Sequence, residues 1–236
     1  MSALVANYYS ELSTGASIKA DNVGLLLGMF ITIMFSAKIS GSHFNPIITF
    51  SFMIGNVKSG NFDRVLGFLY IGAQVLGAQL GAIFAKIFAS GHENDIQLNV
   101  PIGEVIQQII LEVVASFFLV FMYLASTDKK TKFTSDNSIQ TVIQAGSYLG
   151  AMLLAGTKLV YIRASPVNPA IAFAIILWNP SKDNWESSYV FFGSSFGGSF
   201  LALIFFRFVY QKTQEAIEEI NEEEEGSDHN EEALLG

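Results

Sequence analysis

The chain has 236 residues, 51% of them hydrophobic and 14% charged, with 21 Phe, no Cys and a net charge of −8. Without cysteine there is no disulfide framework and no thiol or Cys-based metal chemistry. Ten of the 21 acidic residues lie from Glu215 onward with no Lys or Arg among them; the remaining 11 acids face 13 bases, so the negative charge belongs to the tail.

Residues 1–21 form a short, polar segment that lacks the Arg-rich, acid-poor character of a cleaved transit peptide. Five apolar stretches long enough to span a bilayer follow, at roughly 22–39, 64–89, 103–125, 139–161 and 188–210. Turn-forming clusters at 55–61, 91–95 and 127–130 separate them. Glycines four apart recur at Gly24/Gly28, Gly77/Gly81, Gly146/Gly150 and Gly193/Gly197. This spacing lets helix backbones approach closely in lipid, and four such pairs predict a tightly packed bundle. Lys38, Lys58, Arg64, Lys129, Lys130, Lys132, Arg207 and Lys212 fall on one side. Lys19, Lys86, Lys158, Arg163 and Lys182 fall on or near the other. The bias puts the C-terminus on the cytoplasmic or equivalent side and, with five spans, the N-terminus on the opposite face. Residues 212–236 read as an acidic, disordered extension.

Between the spans lie two shorter apolar elements, near 46–55 and 169–178, each opened by Asn-Pro: Asn45-Pro46-Ile47 and Asn168-Pro169-Ala170. Asn caps a helix start, and Pro fits the first turn, where its missing N–H costs nothing. A ten-residue helix is about 15 Å long, half of a roughly 30 Å hydrocarbon core. Two capped half-length helices predict re-entrant segments that meet at the midplane and line a cavity, because exposed backbone is not tolerated against lipid. Asn179-Pro180 shows that the dipeptide also occurs here without that context.

The two elements are an internal repeat. Asn45-Pro-Ile-Ile-Thr-Phe50 matches Asn168-Pro-Ala-Ile-Ala-Phe173 at Asn, Pro, Ile and Phe, and each has a glycine pair about 20 residues upstream. The span carrying Glu112 has no counterpart in the first half. An odd number of spans between the motifs inverts the second repeat, and inverted repeats with interrupted helices are a transport architecture.

Ile39-Ser-Gly-Ser-His43-Phe-Asn45-Pro-Ile resembles the first signature loop of the aquaporin, or major intrinsic protein, family. Ala73-Gln74-Val-Leu-Gly77-Ala resembles its third helix. Glu112, Ser116 and Leu124-Ala-Ser-Thr-Asp128-Lys-Lys resemble its fourth helix and following loop. Ser165-Pro-Val-Asn168-Pro-Ala resembles the second signature loop, and Gly193-Ser-Ser-Phe-Gly197-Gly the last helix. The resemblance covers roughly 22–210.

Three departures stand out. The counterpart of the family's first helix is absent, the first motif reads Asn-Pro-Ile, and Ile171 stands where the family usually has Arg. By register, the remaining positions of the family's constriction fall at Leu25, Gly156 and Ser165, so none of the four is aromatic or charged. The resemblance implies that His43 hydrogen-bonds the first loop and that Glu112 accepts hydrogen bonds from the second. Arg163, five residues before Asn168, reads as a headgroup-level residue rather than a replacement filter charge. Without the first helix, the carbonyls of the loop at 40–44 are expected to face lipid unsatisfied.

These features predict an all-α membrane protein: an inverted-repeat bundle of five full spans and two half-helices at 22–211, between the N-terminal segment and the acidic tail. It is expected to be a passive channel for water or small neutral solutes, integral to a membrane that the sequence does not specify. The alternative is a non-conducting structural subunit of a larger membrane complex. No nucleophile–base pair, metal cluster or phosphate loop stands out, so no enzymatic activity, cofactor, metal or nucleic acid is expected. Beyond lipid and solute, the expected partners are further copies or membrane subunits that cover the flank of the missing helix.

Overall fold

The computed structural model describes residues 18–55, 62–88, 98, 100–128, 131–156, 165–178 and 180–235, without the side chains of 18–23, 25, 88 and 224–235. In chain order, α1 is Ile18–Ser40, α2 Pro46–Gly55, α3 Arg64–Phe88 and α4 Val105–Thr127, entered through a 3₁₀ turn at Ile102–Glu104. Then come α5 Asn137–Ala155, α6 Pro169–Trp178, a short α7 Lys182–Glu186 and α8 Ser188–Phe205. A π-helical turn, Phe206–Tyr210, joins α8 to α9, Gln211–Leu235. The half-length elements expected at 46–55 and 169–178 are α2 and α6.

Among the described residues, three stretches are apolar and long enough in themselves to cross a membrane: Arg64–Ile87, Ile102–Thr127 and the helix running through Lys182–Glu223. α5 carries several polar groups along its length, and it buries Thr141, Gln144 and Ser147. Gln144 donates to Ser126 Oγ and Thr127 Oγ1, both at 3.4 Å, and Thr141 and Ser147 donate to carbonyls one turn back. Its start is capped by Asp136, which accepts from the N–H groups of Ser138 and Ile139. Those two N–H groups, Ile139 first, hold the Asp136 carboxyl below its usual range.

α4 packs along α8 and α5, α5 along α1, and α3 along α2 and α6. α4 and α8 cross closely. A Cβ on Gly198 would lie 2.3 Å from the Val113 carbonyl oxygen, 2.9 Å from Ser116 Cβ and 3.1 Å from the Phe117 nitrogen. The glycine spacing points to Gly193/Gly197 for this close approach, but their neighbour Gly198 makes it. Nothing lies within 4 Å of a Cβ built at Gly193 or Gly197. Helical rotation is the reason: residues 193 and 197 share the outward face of α8, and one residue further turns Gly198 onto α4. Below that crossing Phe117, Phe121, Phe205 and Tyr210 interlock, with ring centroids 5.2–6.0 Å apart.

The acidic segment is helical, in contrast to the disordered extension expected from its charge. Glu, Gln, Lys and Ala are good helix formers, and no breaker separates α9 from α8. Gln211 Nε2 donates to Asp128 Oδ2 at 3.2 Å, and Lys212 pairs with Glu215 at 2.8 Å.

Gly198→Ala pushes its methyl into fixed backbone and should lower unfolding stability in detergent by about 1–3 kcal/mol, the usual cost of overpacking. Gly193→Ala and Gly197→Ala serve as controls and should be near neutral. Equal losses in all three would contradict the assigned crossing.

Candidate functional site

The site begins with two sharp loops. Gly41, Ser42 and Phe44 have φ of +72°, +53° and +47°, and Val167 has +43°. Only Gly adopts this region freely; other residues held there cost on the order of 1–3 kcal/mol. Phe44 and Val167 each immediately precede an Asn-Pro pair, so the same left-handed step occurs at the same place in both repeats. It turns each carbonyl across the junction. Asn45 Nδ2 donates to Val167 O at 2.9 Å, and Asn168 Nδ2 donates to Phe44 O at 3.0 Å.

The Asn side chains also start their own helices. Asn45 Oδ1 accepts from Ile47 N at 3.1 Å and Asn168 Oδ1 from Ala170 N at 3.0 Å. Each carboxamide is therefore a cap and a cross-link. Both are buried, Asn45 at 0% and Asn168 at 1% exposure, which places the junction inside the protein and away from its lipid-facing surface. The N-termini of α2 and α6 meet there, each carrying about half a positive charge from its helix dipole.

The first loop is not left open. Its carbonyls were expected to face lipid unsatisfied, but Tyr123 Oη donates to Gly41 O and Tyr148 Oη to His43 O at 3.2 Å. With Asn168 on Phe44 O, three of its carbonyls have donors, and Ser42 Oγ donates back to Ile33 O at 2.9 Å. The physical reason is reach: α4 and α5 of the second half extend two tyrosines across the bundle to serve the first loop.

His43 is buried with Nδ1 3.2 Å from Thr49 Oγ1, and Gln74 Nε2 donates to the same hydroxyl at 2.8 Å. Phe52, Phe62, Tyr70 and Tyr123 surround the imidazole. This chain of contacts ties the loop to α2 and α3.

Glu112 supports the second loop through a hydroxyl. Ser165 Oγ donates to Glu112 Oε1 and accepts from Val167 N at 3.3 Å. Gln108 Nε2 donates to Oε1 at 3.2 Å and Ser195 Oγ to Oε2 at 3.4 Å. The far end of α6 is held too. Lys86 Nζ donates to Trp178 O at 2.8 Å, setting a cation at a helix C-terminus. Trp178 Nε1 donates to Gln79 Oε1 at 2.8 Å.

Of the four constriction positions, Ser165 and Ile171 are buried beside the second motif. Gly156 ends α5 with its N–H on Met152 O. Leu25 lies on α1 with its side chain outside the described residues, and Arg163 is outside them altogether. Sequence reasoning missed Phe44, Val167, Tyr123, Tyr148, Ser195 and Gln108. For Phe44 and Val167 the available signal was their equivalent place in the repeat, since neither residue type announces a left-handed conformation.

The sequence model of the Major intrinsic protein family matches residues 2–215. The chain belongs to the major intrinsic protein family. Aquaporin TIP1-1 from Arabidopsis thaliana is 30% identical over 212 residues, covering 87% of this chain and 77% of that protein. Aquaporin TIP1-2 from Musa acuminata is 28% identical over 209 residues, with the same coverage. The fold is similar to the X-ray structure of the aquaglyceroporin from Plasmodium falciparum, with a TM-score of 0.65 at 17% identity over 91% of this chain and 93% of that one. The protein is thus an integral, multi-pass membrane protein with an aquaporin-like helical bundle.

Glu112→Ala should leave the hydroxyls of Ser165 and Ser195 and an N–H of Gln108 without their acceptor. A loss of about 1–3 kcal/mol is expected for buried groups of this kind, read as a lower melting temperature in detergent. Glu112→Gln keeps an acceptor and should lose less; equal losses would argue against the hydrogen-bonding role.

Proposed function

We infer that the protein is a passive channel for water and small neutral solutes, with the junction of α2 and α6 as its narrow centre. The crossed pair, Asn45 to Val167 O and Asn168 to Phe44 O, carries this reading. It fixes two helix N-termini against each other at mid-depth, and the resulting positive potential repels cations and protons. Amide N–H groups at that point donate to the oxygen of a neutral solute. Membership of a family whose named relatives are aquaporins supports the same conclusion.

The constriction of Leu25, Gly156, Ser165 and Ile171 is apolar in character. Ser165 turns its hydroxyl to Glu112, and Ile171 carries no charge. Such a filter is less selective than one built around a cation and admits solutes larger than water, glycerol among them. Proton exclusion then rests on the helix dipoles and the Asn pair.

The reading extends to partners. α3 and α8 follow the two Asn-Pro elements in corresponding places. Setting Gly77-Ala78 against Gly198-Ser199 pairs Leu69 with Val190 and Gln74 with Ser195. Val190 is fully buried and Leu69 is 66% exposed. Ser195 donates to Glu112, and Gln74 Oε1, though buried, has no hydrogen-bond partner among the described residues. Leu27, Ile31, Phe35 and Ile39 on α1 are exposed as well. Another transmembrane helix, from a second copy or a membrane subunit, covers this flank as α4 covers α8.

Ile171→Arg, in proteoliposomes followed by stopped flow, should reduce glycerol permeability more than water permeability; an unchanged ratio would remove Ile171 from the constriction. Purification in mild detergent followed by native mass determination should give an assembly heavier than the 25.8 kDa chain. A stable, conducting monomer would defeat the covered flank.

A further inference from the structure

We propose that Tyr123 and Tyr148 are positioning residues of the permeation path, two hydroxyls of the second repeat that hold the first re-entrant loop in its left-handed course. The loop needs external restraint. Ser42 and Phe44 sit at positive φ without being glycine, and such conformations persist only where the surroundings over-determine them. Phe44 must keep that conformation for its carbonyl to meet Asn168 Nδ2.

The two tyrosines supply the restraint from outside the loop's own repeat. Tyr123 lies on α4, 82 residues from Gly41, and Tyr148 on α5, 105 residues from His43. Both side chains are buried, at 1% exposure. The carbonyls they cap bracket Ser42, and His43 is the residue before Phe44. Tyr123 adds its ring to the cluster around His43 and Phe52. The second loop has a different anchor in Glu112, acting through Ser165. The two halves of the junction are thus held by unlike chemistry, and α4 contributes to both through Tyr123 and Glu112.

The role rests on the channel reading for its flux arm and on geometry alone for its labelling arm. Tyr123→Phe and Tyr148→Phe keep the rings and remove the hydroxyls. In proteoliposomes of the full chain, each should lower the ratio of water to proton permeability by about 5-fold or more, the equilibrium factor of one net hydrogen bond. Ser147→Ala removes a hydroxyl from the same helix, one that donates only to Ile143 O, and should leave the ratio unchanged. In native membranes, the cysteine-free chain permits a single reporter, Phe44→Cys. Its modification by a water-soluble thiol reagent should be about 5-fold faster when combined with Tyr148→Phe. Unchanged labelling overturns the positioning role whatever the flux shows. Where the wild type conducts water, unchanged ratios in both Phe variants, or an equal fall in Ser147→Ala, overturn it as well. A wild-type protein that carries no water, with faster labelling still seen, would sink the channel reading and leave the positioning intact.

Discussion

A backbone carbonyl or N–H inside hydrocarbon has no water to turn to, and each one left unpaired costs several kcal/mol. Everything particular about this protein follows from interrupting two helices under that constraint. α2 and α6 start in the middle of the bundle, so their first N–H groups and the carbonyls of the loops leading into them need partners from within the chain. Asn45 and Asn168 answer the first need by capping their own helices. They answer part of the second by donating across to Val167 and Phe44. The same two side chains that end the unpaired backbone therefore also set the helix starts face to face, which generates the positive potential at the junction. In the proposed channel, stability and selectivity share one set of bonds.

The remaining loop groups are served unevenly, and the unevenness traces to the repeat. In the second half, Glu112 on α4 reaches the loop through Ser165, with Gln108 and Ser195 completing the carboxylate's partners. The first half has no described helix in the corresponding place. Its loop instead draws on Tyr123 and Tyr148 from the second half and on the His43–Thr49–Gln74 chain. α4 thereby anchors both loops, and its close crossing with α8 at Gly198 fixes where those anchors stand. α1 and α3 keep exposed apolar side chains, and Gln74 Oε1 has no hydrogen-bond partner among the described residues.

Much of the architecture was legible because punctuation in this chain is chemical. Asn-Pro marks a helix start in lipid as firmly as in water, and the bounds of α2 and α6 follow from it. The inverted repeat was readable from matched offsets. What escaped the sequence depended on long-range contact or helical rotation. Tyr123 and Tyr148 find their acceptors 82 and 105 residues away, and nothing local distinguishes them from interfacial tyrosines. Gly198 and not Gly193 or Gly197 meets α4, a difference of one residue and about 100° of rotation. The left-handed Phe44 and Val167 go against residue preference and are tolerated because opposite amides hold their carbonyls. The tail was misjudged for another reason: charge alone argued against structure, while residue-by-residue helix propensity and the continuous run from α8 favoured α9.

The central claim is that a helix-dipole junction at the midplane passes neutral solute and refuses charge. The most direct test is osmotic shrinkage of proteoliposomes holding the unmodified protein, read beside proton flux under an imposed potential. The account predicts water permeability well above that of protein-free liposomes with a low activation energy, and proton flux at the protein-free level. Water permeability equal to that of protein-free liposomes, or proton flux rising in step with water, would contradict it.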